Sequence, residues 1–210
     1  MKNNIIILIW LILLYFALKY FIPFGNYVLY PINLLVTFLH EFGHAFFALI
    51  TWWKVIWITV NSDGSWLTTS AWWIRNLVIM WGYIWSAIFW NILLYIGFKK
   101  KKWAENIILF FSLLMVFVAI FWFQTITTSL ILFALAGVLY YLSKKTDYDA
   151  LILQALGIFS ILYIIQDFNV GPSSDLKHFS TILPTWVWMW IWLAIVIGLT
   201  WWNLRNIMKK

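Results

Sequence analysis

The residues of this chain best suited to do chemistry are His40-Glu41-Phe42-Gly43-His44. On a helix, positions four apart lie one turn above each other on one face, so His40 and His44 can each direct a ring nitrogen at one metal ion about 2.0–2.1 Å away. Glu41 then flanks the ion, where a carboxylate can take a proton from water. This H-E-x-x-H order is that of zinc hydrolases in which the Glu is the general base. Asn33, Thr37, His40 and His44 share one stripe of the same helix, at offsets of 4, 7 and 11 residues. That stripe predicts a continuous polar side turned towards the interior of a helix bundle. The competing reading of the same residues is a hydrogen-bonded His–Glu cluster that glues helices together.

The surroundings of the motif decide how much weight it carries. Of the 210 residues, 65% are hydrophobic and 10% charged, against roughly 45–50% and 25% in globular chains. With 18 Trp, 18 Phe and 10 Tyr besides, so few charges cannot clothe a soluble surface, and the chain reads as an integral membrane protein. A carboxylate inside a membrane span costs on the order of 2.5–3.5 kcal/mol on insertion scales. Asp63, Glu105, Asp147, Asp149, Asp167 and Asp175 all fall in loops or at span edges, whereas Glu41 lies well inside an apolar run between two histidines. Three titratable groups at that position speak for a functional site. With no cysteine in the chain, a thiolate metal site is excluded and any ion is held by His, Asp or Glu. The net charge of +7 resides in short Lys clusters between apolar runs, as at a lipid headgroup surface. No basic face with polar surroundings exists for nucleic acid.

Several elements must position the motif. Apolar runs of spanning length occur at approximately 5–22, 28–51, 75–98, 104–123, 128–143, 150–166 and 185–204, of which the fifth and sixth are short enough to be tilted, partial or re-entrant. The first run lacks a cleavage site after Ala17 and reads as a retained span rather than a signal peptide. After the second run, Val55-Ile56-Trp57-Ile58-Thr59-Val60 is β-branched and aromatic, Asn61-Ser62-Asp63-Gly64 has turn chemistry, and Trp66-Leu67-Thr68-Thr69 can return as a second strand. Gly171-Pro172-Ser173-Ser174-Asp175 suggests a loop leading into a short helix. The expected fold is an all-α polytopic membrane protein, about six or seven transmembrane helices with a short membrane-edge β-hairpin after the second span. It forms a single domain over residues 1–210.

At His40-Glu41-Phe42-Gly43-His44, followed by the 54–70 hairpin, a helix carrying Gly82-Tyr83 and late acids at Asp167 and Asp175, the chain resembles the site-2 protease family of intramembrane zinc metalloproteases. It is closest in character to the small branch without an added regulatory domain. The resemblance implies one Zn²⁺ per chain, held by His40, His44 and a distant aspartate, with Glu41 as catalytic base. Gly171-Pro172-Ser173-Ser174-Asp175-Leu176 fits the aspartate context of small members and nominates Asp175, with Asp167 as the alternative. His178, one turn beyond Asp175, is a further candidate or a partner of a ligand. Trp85 and Trp90 stand where the family tends to have small residues. The series Trp186, Trp188, Trp190 and Trp192 reads as interface anchoring and packing.

The implied activity is hydrolysis of a peptide bond in or near the membrane. Its substrate would be a membrane protein or membrane-associated peptide, held extended against the edge of Val55–Val60 by strand addition. The implied setting is the lipid bilayer of a prokaryotic plasma membrane. Two other functions fit the same cluster: an intramembrane metal-binding or transport protein, and a non-catalytic family member that binds membrane partners. Oligomeric state leaves no signature in the chain.

Overall fold

A bilayer core offers no water to peptide N–H and C=O groups, so a chain this apolar must satisfy its backbone within helices. The computed structural model, which describes residues 2–52, 54–60, 66–70, 75–123, 125–145, 148–167 and 183–209, has that form. In chain order it holds α1 (Lys2–Phe16), a π-helical turn (Ala17–Phe21), α2 (Gly25–Ile50), β1 (Val55–Val60), β2 (Trp66–Ser70) and α3 (Arg75–Lys99). A 3₁₀ turn (Lys101–Trp103) then leads to α4 (Ala104–Phe121), α5 (Ile126–Lys145), α6 (Asp149–Asp167) and α7 (Thr185–Met208). Among the described residues, seven helices are long and apolar enough to cross a membrane.

The helices of the fifth and sixth spans are longer than their apolar runs and long enough to cross a bilayer, with α5 of 20 residues and α6 of 19. Polar ends extend α5 beyond its apolar run. The Thr125 hydroxyl accepts the Thr128 amide at 3.2 Å as an N-terminal cap, and Lys144 at the far end reaches Glu105 at 2.5 Å. The first span is bound to α6 through Gln166, whose side-chain oxygen accepts from the Tyr15 hydroxyl at 3.2 Å and from the Lys19 ammonium.

The spans of α2, α3 and α6 are 61%, 56% and 50% buried, against 11% for the first span and 17% for α7. The helix carrying the His–Glu–His motif therefore lies at the centre, and α1 and α7 face lipid. Helix α3 packs against α6, α2 and α7, while α4 pairs with α5. Between α3 and α6 the helices nearly touch: a Cβ on Gly157 would stand 2.9 Å from that of Leu94, and Gln154 donates to the Gly97 carbonyl at 2.7 Å. Between α3 and α7 the link is polar. Asn91 donates to Thr200 at 3.2 Å, and Asn203 donates to the Asn91 backbone and side-chain oxygens at 2.6 and 3.1 Å. Such amides join helices that have no hydrophobic reason to associate in lipid.

The expected hairpin is present. Strands β1 and β2 pair antiparallel with Ile58 opposite Thr68, and the register shifts between Val55 and Trp57. The expected turn, Asn61 to Gly64, lies outside the described residues. The outer edge of β1 is also engaged: the Ile58 amide donates to the Trp122 carbonyl at 2.7 Å, and Ile58 bridges Phe123 in parallel sense. The junction of α4 and α5 thus stands as a third, single-rung strand beside the hairpin.

Candidate metal centre

Helix α2 brings the motif residues together at its buried middle. The Nε2 atoms of His40 and His44 are 3.1 Å apart, with ring centroids 4.7 Å apart and planes at 88°. Two nitrogen donors, each 2.0–2.1 Å from one tetrahedral ion, stand about 3.3 Å apart. The observed separation therefore fits two imidazoles converging on a shared zinc. Donor atoms of His40, Glu41 and His44 all lie within 4.8 Å of one another, so the Glu41 carboxylate would flank an ion held by the two imidazoles. Glu41 and His44 are 8% and 7% exposed, so both side chains are largely withdrawn from bulk solvent.

The neighbours explain why the rings hold this pose. Helix α3 crosses α2 at Gly82 and the packing leaves no room for a side chain: a Cβ there would meet His44 Nε2 at 2.5 Å and His40 Cε1 at 2.9 Å. One turn of α3 on, the Trp85 side chain lies against Gly43, where a Cβ would come within 2.9 Å of the Trp85 Cβ. Gly43 and Gly82 are thus reciprocal notches at one crossing, the close approach that small residues permit between membrane helices. The Tyr83 ring meets the His40 ring edge-on at 4.6 Å and is itself backed by Trp192 of α7 at 5.5 Å. From the hairpin, the Thr68 hydroxyl donates to the Glu41 backbone carbonyl at 2.9 Å, so β2 is tied directly to the motif.

Of the residues singled out from sequence, His40, Glu41 and His44 are assembled. Val55 to Val60 form β1, with Val55, Ile58 and Thr59 buried and Ile56 exposed. The backbone of Asp167 closes α6. Asp175 and His178 lie outside the described residues. The Trp series of α7 divides: Trp186 and Trp190 are 62% and 58% exposed, while Trp192 is buried against Tyr83. Gly82 and Thr68 were not recognised as parts of the site. The signal for Gly82 was available, since a glycine inside a helix costs about 1 kcal/mol relative to alanine and asks for a packing reason. Thr68 left none, because its role depends on a contact between distant segments.

Comparison with known proteins places this chain in a family. The family described as Peptidase M50B-like matches residues 5–203. No curated protein and no solved structure matches the chain. A match over nearly the whole sequence is sufficient: the chain belongs to the Peptidase M50B-like family, the site-2 protease family of membrane zinc metallopeptidases.

Proposed function

We propose that the chain is a zinc-dependent endopeptidase cleaving a peptide bond in or near the plasma membrane of a prokaryote, through a single membrane domain over residues 1–210. The observation that carries this reading is the 3.1 Å convergence of the His40 and His44 Nε2 atoms, with the Glu41 carboxylate beside them in a buried part of α2. His40 and His44 supply two ligands and Asp175 the third, with Asp167 as the alternative. When bound, zinc supplies Lewis acidity towards a peptide carbonyl and lowers the pKa of water towards about 7. Glu41 accepts the proton of the attacking water and returns it to the departing amine nitrogen. Tyr83 and Gly82 hold the imidazoles against rotation.

A helical substrate hides its scissile carbonyl in its own hydrogen bonds, so it must be extended before it reacts. An extended segment can add to the hairpin. Along Val55–Val60 it has to take the Ile58 amide from Trp122; the alternative seat is the outer edge of β2. Hydrolysis is favoured over metal transport because no other apolar run of spanning length carries an acid or a histidine in its interior.

Chelation tests the reading. Purified protein treated with a strong zinc chelator is expected to lose cleavage of a fluorogenic casein, an unfolded chain rich in extended segments. About one equivalent of zinc should restore it. Turnover that continues in protein shown to be free of metal would overturn the assignment.

A further inference from the structure

The hairpin has two outer edges, and among the described residues one of them is engaged. On β1 the Ile58 amide donates to the Trp122 carbonyl at 2.7 Å, and Ile58 bridges Phe123. The junction of α4 and α5 therefore occupies that edge. No described strand or bridge lies along β2, since the sheet has two strands and the isolated bridge falls on Ile58. Strand β2 is also the one packed more closely on α2.

The register says which groups the free edge presents. In an antiparallel ladder, opposed residues alternately point their N–H and C=O at each other and away from each other. The Ile58 amide leaves β1 on the side of Trp122, so Ile58 and its partner Thr68 are a pair that exchanges no hydrogen bonds. The ladder bonds fall on Trp57–Thr69 and Thr59–Leu67 instead. Thr68 thus turns its own N–H and C=O along the outer edge of β2, and Trp66, two residues back, does the same. The Thr68 side chain leaves the sheet by its face, and its hydroxyl donates to the Glu41 backbone carbonyl at 2.9 Å. One residue therefore touches the helical turn that bears the carboxylate and offers its backbone to an added strand. Such a strand would lie about 4.8 Å from Thr68, whereas one on the far side of β1 would stand about twice as far away.

We propose that Thr68 registers the substrate against the catalytic base. Its outward N–H and C=O pair with an extended substrate segment on the edge of β2, and its hydroxyl holds the Glu41 turn of α2 at a fixed distance from that segment. Thr68 is thus a binding residue through its backbone and a positioning residue through its side chain, and β1 is closed to substrate by Trp122. This assignment rests on the peptidase reading.

The test is kcat and KM on fluorogenic casein, with zinc content measured for every preparation of the full chain. Thr68→Val removes the hydroxyl and keeps the N–H, so kcat should fall by about three- to tenfold with KM unchanged. Thr68→Ser restores the donor and should return kcat. Thr68→Pro removes hydroxyl and N–H together, and proline blunts a sheet edge against strand addition without taking a donor from this ladder. Compared with Thr68→Val, it should raise KM about tenfold. Trp66→Pro removes the next outward N–H at the first residue of β2, where proline is tolerated. It should raise KM likewise, and it stands in if Thr68→Pro does not fold. All variants that fold should carry as much zinc as wild type. Proline variants with unaltered KM would overturn the proposal and give the substrate to β1, with Trp122 displaced. Unaltered kcat in Thr68→Val would overturn the positioning role. Wild type without zinc-dependent cleavage would overturn the peptidase reading itself, a result distinct from both.

Discussion

Glu41→Gln will lower peptide-bond hydrolysis by about 10²–10⁴-fold while leaving zinc bound. The amide has the size and shape of the carboxylate but cannot accept the proton that water must give up, so the loss falls on the chemical step. The helix should tolerate the change. The Thr68 hydroxyl holds the backbone carbonyl of residue 41, not its side chain, and a neutral group is easier to bury than a carboxylate at a position only 8% exposed. His44→Ala makes the contrast, since it removes a proposed metal ligand and should lose both ion and activity. Initial rates on fluorogenic casein, taken beside zinc content for the same preparations, separate the two outcomes. Glu41→Gln protein with a rate within a factor of about ten of wild type would exclude Glu41 as the base.

Gly82→Ala is the second large effect, and it comes from a residue that touches no substrate in the proposed reaction. The new methyl would stand 2.5 Å from His44 Nε2 and 2.9 Å from His40 Cε1, so either α3 moves off α2 or the imidazoles turn away from each other. Overpacking of this kind costs about 1–3 kcal/mol. Because the displaced groups are the proposed ligands, zinc affinity should fall by about 10–100-fold, the range for lost support of a metal site. Competition against a fluorescent chelator measures it. Gly198→Ala on α7, where a Cβ would meet nothing within 4 Å, is the matched control and should bind zinc as wild type does. Equal affinity for Gly82→Ala would mean that the crossing of α2 and α3 does not set the geometry of the histidines.

Much of this architecture was legible in the chain, for identifiable reasons. The spans show because lipid demands long apolar runs, and the hairpin because Val55–Val60 and Trp66–Thr69 are β-rich segments around turn residues. His40, Glu41 and His44 show because helical spacing alone brings them to one side of α2. Where hydropathy misled, polar residues were responsible. Thr127 and Thr128 open α5, and Lys144 and Lys145 close it, so the span looks shorter in composition than its backbone is.

Contacts between distant segments left no such trace. That Gly82 backs the imidazoles, that Thr68 ties β2 to Glu41 and that Trp122 takes the outer edge of β1 all depend on how α2, α3 and α4 pack. No local periodicity encodes that packing. The alternating Trp residues of α7 illustrate the same limit. They resemble one another in sequence, yet Trp190 faces lipid and Trp192 supports Tyr83 against His40.

Metal content per chain decides whether His40, His44 and Asp175 together hold a zinc ion. Wild type purified without chelator is expected to carry about one zinc per chain. His44→Ala and Asp175→Ala should lose that zinc, and Asp167→Ala should retain it. Wild-type protein that carries no zinc and takes none up would contradict the zinc site and leave His40, Glu41 and His44 as a buried polar cluster.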